Sequence, residues 1–486
     1  MSQGPNLIYV FADQLRLQSC GYAGDELATT PTMDRLATEA CDLRQFVAST
    51  PVCAAYRASL MTGKYQSGTG MVINELRLSP EHETFGNVLT AAGYDTAYIG
   101  KWHLWANELG NHDATRNGFV PPGPYRLGFD GLWAGYNFNH GCYDAPYFRD
   151  EPSREFWKGY EPDSQTTMAI DYLKGAAAGD RPFAMFLSWG PPHSPWTLDN
   201  CPPEHRERYA GVDLPLRGNY TETIDRYCDA WQRPNAAFFA ELPDALRGYY
   251  AQVANLDDNL ARLLATVDEL GIAGDTIFVF TSDHGEMFGS HGRRGKLTFY
   301  EESCRVPFLL RWPGHVPTGK NEALLTTPDL MPTLLSLMKL PCPDGVEGVD
   351  ASAALLGESD GPEFAMLQGM GATAAWDDGS EWRSVRNRDF TYAIYHADGR
   401  ELLFNHRIDP LQLRDLSTDA GHGATLSHLR SQLQGWMREH NDEFHACSWY
   451  EHRWTRDRNI TATALGGPGQ DLDQLRDILK QHNLAT

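Results

Sequence analysis

Cations are scarce in this chain: 41 lysines and arginines stand against 64 aspartates and glutamates in 486 residues, a formal charge of −23. An acid excess of that size leaves no basic footprint for a phosphate backbone and excludes nucleic acid as a partner. It does not exclude a small anionic substrate, which needs only a local cationic pocket. Long apolar runs are missing too. No stretch approaches the length of a membrane span, and the opening MSQGPNLIYVFADQ has no basic region followed by an extended apolar run. Neither a signal peptide nor a membrane partner is therefore expected. The nine cysteines, at positions 20, 41, 53, 142, 201, 228, 304, 342 and 447, include no CxxC and no dense framework. An odd, scattered set fits unpaired thiols in a reducing compartment. Internal repeats and low-complexity tracts are also lacking. The expectation is a soluble cytoplasmic protein, long enough for two domains.

What is present is a recurring unit. Asn6–Ala12 (NLIYVFA) is a short β-branched and aromatic run, read as a buried strand, and it ends in Asp13-Gln14. Asp95–Gly100 ends in Lys101-Trp102-His103, Arg181–Trp189 in Gly190-Pro191-Pro192-His193, and Thr276–Thr281 in Ser282-Asp283-His284. Amphipathic stretches lie between and around them, over Thr32–Leu43, Glu83–Ala92, Thr166–Leu173 and Leu246–Leu270. Strands alternating with helices predict an α/β fold with a large, mainly parallel sheet sandwiched by helices. Ligands in such folds bind at the carboxyl ends of the strands. Four strand ends carrying Asp, Lys and His, His, and Asp-His therefore describe one assembled site. A further apolar strand is expected at Val306–Leu310, after a glycine-rich stretch that places Lys296 in a loop. From about residue 375 the texture changes to short alternating runs over Trp382–Phe404, with the turn signal Ala397-Asp398-Gly399, and then to helical segments at Leu426–His440 and Leu472–His482. This predicts a catalytic α/β domain over 1–375 and a smaller C-terminal α+β domain over 376–486 with an antiparallel sheet.

Between the first two strands lies Thr50-Pro51-Val52-Cys53-Ala54-Ala55-Tyr56-Arg57, at the start of a helix continuing through Leu60 and Met61. Positions four apart share a helix face, and a helix start favours an anion. Cys53 and Arg57 can thus present a nucleophile and a cation to one anionic group. Taken singly, each feature has a plain structural role: a small buried thiol, a capping Asp283-His284, a solvated Lys101, a turn histidine at 193.

Taken together, the motifs identify a resemblance. ADQ, PTMDRLA, CxxxRASLMTG, GYDTAYIGKWH, PPHSP, SDHGE, the Gly295-Lys296 pair, YEESCRVPFLLRWPG and DPLQLRDL, in this order from residue 5 to about 417, resemble the type I sulfatases of the alkaline phosphatase superfamily. The resemblance implies hydrolysis of a small sulfate ester with release of sulfate and an alcohol. It implies a divalent cation on Asp13, Gln14, Asp283 and His284, with Ca²⁺ first and Mg²⁺ or Mn²⁺ as alternatives. Cys53 would be oxidised by a formylglycine-generating enzyme, a maturation partner, to formylglycine, whose hydrate is the nucleophile. Arg57 would hold the formylglycine and the transferred group. Lys101 and Lys296 would neutralise non-bridging oxygens, His193 would act as general acid or hydrogen-bond donor to the leaving-group oxygen, and His103 would assist or orient the second hydroxyl.

Two features depart from the family pattern, the cysteine motif and the first metal position. Ala55 and Tyr56 stand where proline (or alanine) and then serine are usual, and Gln14 stands where many members have a second aspartate. Phosphonate monoester and phosphodiester hydrolases of the same superfamily also favour Asp-Gln, but they generally replace the GKWH element with tyrosine and threonine. Retention of Lys101 and His103 favours a sulfatase. A non-catalytic binding relative with unmodified Cys53 is the alternative of a different class. Trp102, Trp105, Trp133, Trp157, Trp189 and Trp196 are either pocket aromatics or core side chains. The helices after Ser417 are available for homo-oligomerisation, with no stoichiometry set.

Overall fold

The run Asn6–Ala12 is strand β1, and its side chains alternate between two separate cores. Leu7, Tyr9 and Phe11 join one buried cluster, while Ile8, Val10 and Ala12 join the other. A strand buried on both faces reads as a continuous apolar run, which is why no alternation marks it. Each fully buried aliphatic side chain contributes about 1.5–3 kcal/mol. The computed structural model describes residues 4–112, 114–466 and 469–484, so the outermost residues of both expected domains, 1–3 and 485–486, lie outside it.

Seven further strands complete the large sheet: β2 (Cys41–Leu43), β3 (Asp95–Lys101), β4 (Leu132–Tyr136), β5 (Phe183–Ser188), β6 (Thr276–Ser282), β7 (Phe308–Arg311) and β8 (Gly319–Asn321). The order across the sheet is β8-β2-β7-β6-β1-β5-β3-β4. The run β6-β1-β5-β3-β4 is parallel throughout, and β7 pairs antiparallel with both β6 and β2. The sheet is thus mixed but mostly parallel.

Helices cover both faces. On one lie α1 (Pro31–Glu39), α4 (Glu161–Ala177) and the long α5 (Ala236–Glu269); on the other lie α2 (Cys53–Thr62), α3 (Phe85–Ala91) and α6 (Thr327–Leu337). The amphipathic stretch 32–43 does not continue as one helix. Proline at its first turn starts α1, Ala40 is already extended, and Cys41–Leu43 leaves as β2. Capping boxes start α3 (Thr84 with Asn87) and α6 (Thr326 with Asp329), and the Asn235 side chain accepts from the Phe238 N–H to start α5. Among the described residues, no helix is long and apolar enough to cross a membrane.

A second, antiparallel sheet is built from β9 (Ala365–Gly369), β10 (Trp382–Arg386), β11 (Phe390–Tyr395) and β12 (Glu401–Asn405), in sequence order. Its first strand precedes residue 376. Helix α7 (Gly423–Glu439) packs on it through Leu429, Leu433 and Trp436, and α8 (Leu472–Gln481) closes the described chain.

Candidate active site

Strands β6, β1, β5 and β3 are neighbours in the sheet, and their carboxyl ends deliver Asp283-His284, Asp13-Gln14, Ser188 and Lys101 to one place. A glycine makes one of these exits possible. Gly100 has φ +103, and a Cβ there would meet the Ser188 carbonyl oxygen at 2.0 Å. Two exits are strained instead: Gln14 (φ 73) and His103 (φ 55) occupy the left-handed region without being glycine.

Helix α2 brings the nucleophile candidate. Every one of its ten residues is buried, Val52 at its N-cap offers no capping side chain, and the Ala54 N–H is met by Asn74 Oδ1 at 3.2 Å. Cys53 and Arg57 point the same way, as their spacing requires. Around Cys53 Sγ stand Lys296 Nζ at 2.9 Å, His284 Nε2 at 3.2 Å, Asp13 Oδ1 at 3.7 Å and Lys101 Nζ at 3.8 Å. Arg57 ties the base of the site together: one terminal nitrogen donates to Asp13 Oδ2 and Asp283 Oδ2, both 3.2 Å, and the other to Ser188 Oγ and the Lys101 carbonyl. Lys101 Nζ lies 2.6 Å from Asp13 Oδ2.

These groups are essentially inaccessible to solvent, so their charges act in a poorly screened setting. Burial alone would raise the Asp13 carboxyl, but Lys101 and the other nearby bases hold it well below the usual range. Asp283 is pushed up to about 6 by burial and by the Asp13 charge. Burial opposes the charge on Lys296, yet the Cys53 sulfur and the two aspartates keep it raised. His103 is driven well below its ordinary value by burial and Lys101, and His193 by burial and Lys296. Both imidazoles are therefore neutral.

The metal-ligating atoms of Asp13, Cys53, Asp283 and His284 lie within 4.8 Å of one another, all buried. Two adjoining buried carboxylates with an imidazole fit a divalent cation, whose charge would relieve their mutual repulsion. Gln14 stands beside this cluster. Its amide nitrogen donates to Glu286, so its Oε1 faces the site, 3.3 Å from Lys296 Nζ.

A family profile described as "Sulfatase" matches residues 5–340, and one described as "N-sulphoglucosamine sulphohydrolase, C-terminal" matches residues 289–439. The chain is 34% identical over 453 residues to the ulvan-active sulfatase of Formosa agariphila, covering 92% of this chain and 83% of that one. It is 29% identical to the arylsulfatase of Clostridium perfringens, over 88% of this chain and 93% of that one. The sulfatase-type protein yidJ of Bacteroides fragilis superposes with a TM-score of 0.78 at 28% identity, covering 92% and 98% of the two chains. The chain belongs to the sulfatase family. It is a hydrolase of sulfuric esters with the alkaline-phosphatase-like fold. The phosphonate monoester hydrolase of Agrobacterium radiobacter shares that fold with a TM-score of 0.70 at 20% identity, over 90% of this chain and 97% of that one.

Of the ten site residues expected in this sulfatase, eight make direct contacts at the centre. His193 and His103 form a second ring. The His193 Nδ1 lies 2.8 Å from the Ser194 carbonyl oxygen, and its ring is 5.1 Å from that of His140. Among the described residues the His103 Nδ1 is buried without a partner, and its ring packs on Phe138 at 4.8 Å. Sequence reasoning passed over several contributors. Glu286 stands inside the SDHGE motif, yet nothing in that string says that it orients Gln14. Ser188 is a strand residue that anchors Arg57. Phe138, 5.0 Å from Lys101 Nζ, and Trp231, 5.4 Å from Lys296 Nζ and 38% exposed, are the aromatic neighbours of the two lysines. The tryptophans named from sequence fall elsewhere: Trp102, Trp105, Trp133, Trp157 and Trp189 are core side chains, and Trp196 packs against Tyr249 and Phe288. Tyr56, the unusual residue beside Arg57, is fully buried, with its hydroxyl 3.0 Å from that of Tyr9. This side chain fills the core.

Proposed function

We propose that this sulfatase removes sulfate from sulfated carbohydrates, using formylglycine derived from Cys53 and one divalent cation, with Ca²⁺ the first candidate. The observation that carries the reading is the set of two lysines, one histidine and one aspartate placed around a single cysteine sulfur at a helix start. That sulfur stands where the oxygens of formylglycine would lie. The hydrate of formylglycine would supply two geminal hydroxyls there, one to attack sulfur with loss of the alcohol and one whose deprotonation would re-form the aldehyde and expel the sulfate from the first oxygen. A cation on Asp13, Gln14, Asp283 and His284 supplies Lewis acidity at the attacking oxygen.

The remaining steps belong to this chain's own side chains. Arg57 fixes Asp13 and Asp283 in register and presents positive charge beside the nucleophile. Lys101 and Lys296 neutralise the non-bridging sulfate oxygens as charge shifts toward the leaving group. His193 is held neutral by burial and by Lys296. A bound sulfate places negative charge between them, raises the imidazole's proton affinity and lets it protonate the leaving alkoxide. His103, with a free buried nitrogen, holds the second hydroxyl.

The carbohydrate assignment draws on the relatives named for ulvan and for 4-O- and N-acetylglucosamine-6-O-sulfates, and on the exposed face of Trp231. The nine free thiols support a reducing, cytoplasmic setting and hence an imported oligosaccharide or small ester. Detection of the native protein outside the cell would remove that basis. We also treat the division into a catalytic unit and a smaller C-terminal unit as part of this proposal. The test is the mass of the Cys53 peptide from protein matured with a formylglycine-generating enzyme, together with a panel of sulfate and phosphonate esters. A formylglycine mass with preferential sulfate release is expected. A plain cysteine mass together with undiminished turnover would refute the nucleophile, and preferential phosphonate cleavage would refute the substrate class.

A further inference from the structure

In a chain with 41 basic and 64 acidic residues, one groove reverses the balance. It measures about 560 Å³ and carries Arg77, Arg116, Arg456, Arg458, Arg476 and Lys480 against Glu108 and Asp457. The Glu108 carboxylate is shared by two guanidiniums, Arg116 at 2.7 Å and Arg458 at 3.4 Å. Arg476 and Lys480 face Asp473 and Asp477 on their own helix, at 2.5 and 3.9 Å, and these acids are largely exposed. Among the described residues, with these four carboxylates counted, the cations remain in excess.

The decisive group is Arg77. It is buried, yet among the described residues no carboxylate pairs with it: the guanidinium donates to the neutral Asn459 amide and lies 3.9 Å over the Trp105 ring. Its Nε has no partner among the described residues. Burial and Arg458 lower its proton affinity to about 10, the direction expected of a cation without a counter-charge. A buried, uncompensated guanidinium is costly unless an anion joins it. Its planar fork matches a sulfate or carboxylate in two parallel hydrogen bonds.

The groove is also fixed in place. Asp457 and Arg458, with φ 49 and 62, make the two-residue turn of the hairpin Thr455-Arg456/Asn459-Ile460, which sets Arg456 and Arg458 at the rim. Asp471 caps α8, bringing Arg476 and Lys480 alongside. Two loops join the groove to the catalytic centre. Arg77 lies three residues beyond Asn74, which holds the Ala54 N–H, and Trp105 lies two beyond His103. Three residues span at most about 11 Å.

We propose that this groove is an exosite for the sulfate groups of a polysulfated oligosaccharide whose reacting sulfate sits at Cys53. The placement of the reacting sulfate rests on the function proposed above; the binding of sulfate groups in the groove does not. Recognition of neighbouring sulfates would add affinity and select multiply sulfated chains over monosulfated units.

The test is calorimetric titration of dextran sulfate oligosaccharides into the full chain carrying Cys53→Ala, so that no turnover is read. The groove variant adds Arg456→Glu and Arg476→Glu, both exposed. The control adds Arg407→Glu and Arg414→Glu, exposed cations elsewhere. The groove variant should bind about tenfold or more weakly, with a shallower salt dependence, and the control should bind like the parent. On native Cys53, kcat/KM for a small aryl sulfate should be unchanged by the groove substitutions. Equal binding by groove variant and parent, an equal loss in the control, or a parallel fall in aryl sulfate turnover would overturn the exosite. If the parent binds through the groove yet hydrolyses no sulfate ester, the exosite stands and the catalytic reading falls. If the parent turns over sulfate esters while its binding is indifferent to the groove, the catalytic reading stands and the exosite falls.

Discussion

In the proposed metal site Gln14 would give a neutral oxygen where a second aspartate is common in the family, and a neutral amide must be held the right way round to serve. Glu286 does this by accepting from the amide nitrogen. Its other oxygen accepts from the N–H groups of Phe288, at 3.1 Å, and Gly295, at 2.7 Å, immediately before Lys296. One carboxylate therefore positions both the proposed ligand Gln14 and the backbone that leads into Lys296. Glu286→Ala should lower divalent-cation affinity by about 10–100-fold, the usual cost of losing a group that orients a ligand. Glu286→Gln keeps an acceptor for the Gln14 amide and should recover part of the loss. Calorimetric titration with Ca²⁺ and Mg²⁺ reads this directly, and unchanged affinity in Glu286→Ala would remove Glu286 from the site. Lys296→Ala should behave differently. Loss of its charge beside the reacting sulfate should cost about 10²–10³-fold in kcat, with metal affinity nearly preserved. A matching drop in metal binding would mean that Lys296 acts through the cluster rather than on sulfate.

At the level of elements, what the sequence shows and what it hides have a common physical cause. Strands buried on both faces are written as apolar runs, so β1, β3, β5 and β6 and the residues after them are legible. Their order across the sheet is not, because crossover connections leave no local trace. Position 56 shows the same limit. Read along the chain, Tyr56 is an anomaly next to Arg57; in the fold it points from α2 into the core beneath the sheet and meets Tyr9. Phe138 and Trp231 were missed because each approaches its lysine only through tertiary contact. The packing of α2 gives a prediction. Tyr56→Ser, which restores the commoner family residue, would empty a large core site and strand the Tyr9 hydroxyl. It should cost about 3–5 kcal/mol in denaturant unfolding, whereas Tyr56→Phe should cost only about 1 kcal/mol. A Tyr56→Ser protein as stable as the parent would show that α2 can collapse into the vacated space.

Across the whole molecule, the two sheets are not independent bodies. The Trp382 indole donates to the Leu297 carbonyl, next to Lys296, and the Gln368 amide on β9 bonds Ser67 on one side and Asp442 on the other. A further tie is ionic. Arg386 on β10 pairs with Glu301, just after the Lys296 loop, and both are buried. Burial would raise the Glu301 carboxyl, but Arg386 and Arg305 hold it down to about 2. Replacing Arg386 by methionine removes one partner and leaves Arg305, 3.1 Å away. The loss should therefore fall toward the low end for a broken buried pair, about 3 kcal/mol at neutral pH. The sign of the pH dependence follows from the depressed carboxyl. The folded state releases its proton more readily than the unfolded chain, so this stabilisation is complete above the unfolded value of about 4.5 and is lost as pH falls toward 2. The gap between parent and Arg386→Met should accordingly be widest near pH 7 and close progressively below about 4.5, where a protonated Glu301 no longer needs the guanidinium. Denaturant unfolding from pH 7 to pH 3, followed by fluorescence, would read it. Because the pair joins the antiparallel sheet to the loop carrying Lys296, both units should unfold in a single transition that shifts as one. A gap independent of pH, or a separate early transition confined to the smaller sheet, would show that Arg386 stabilises its own sheet and does not couple it to the site.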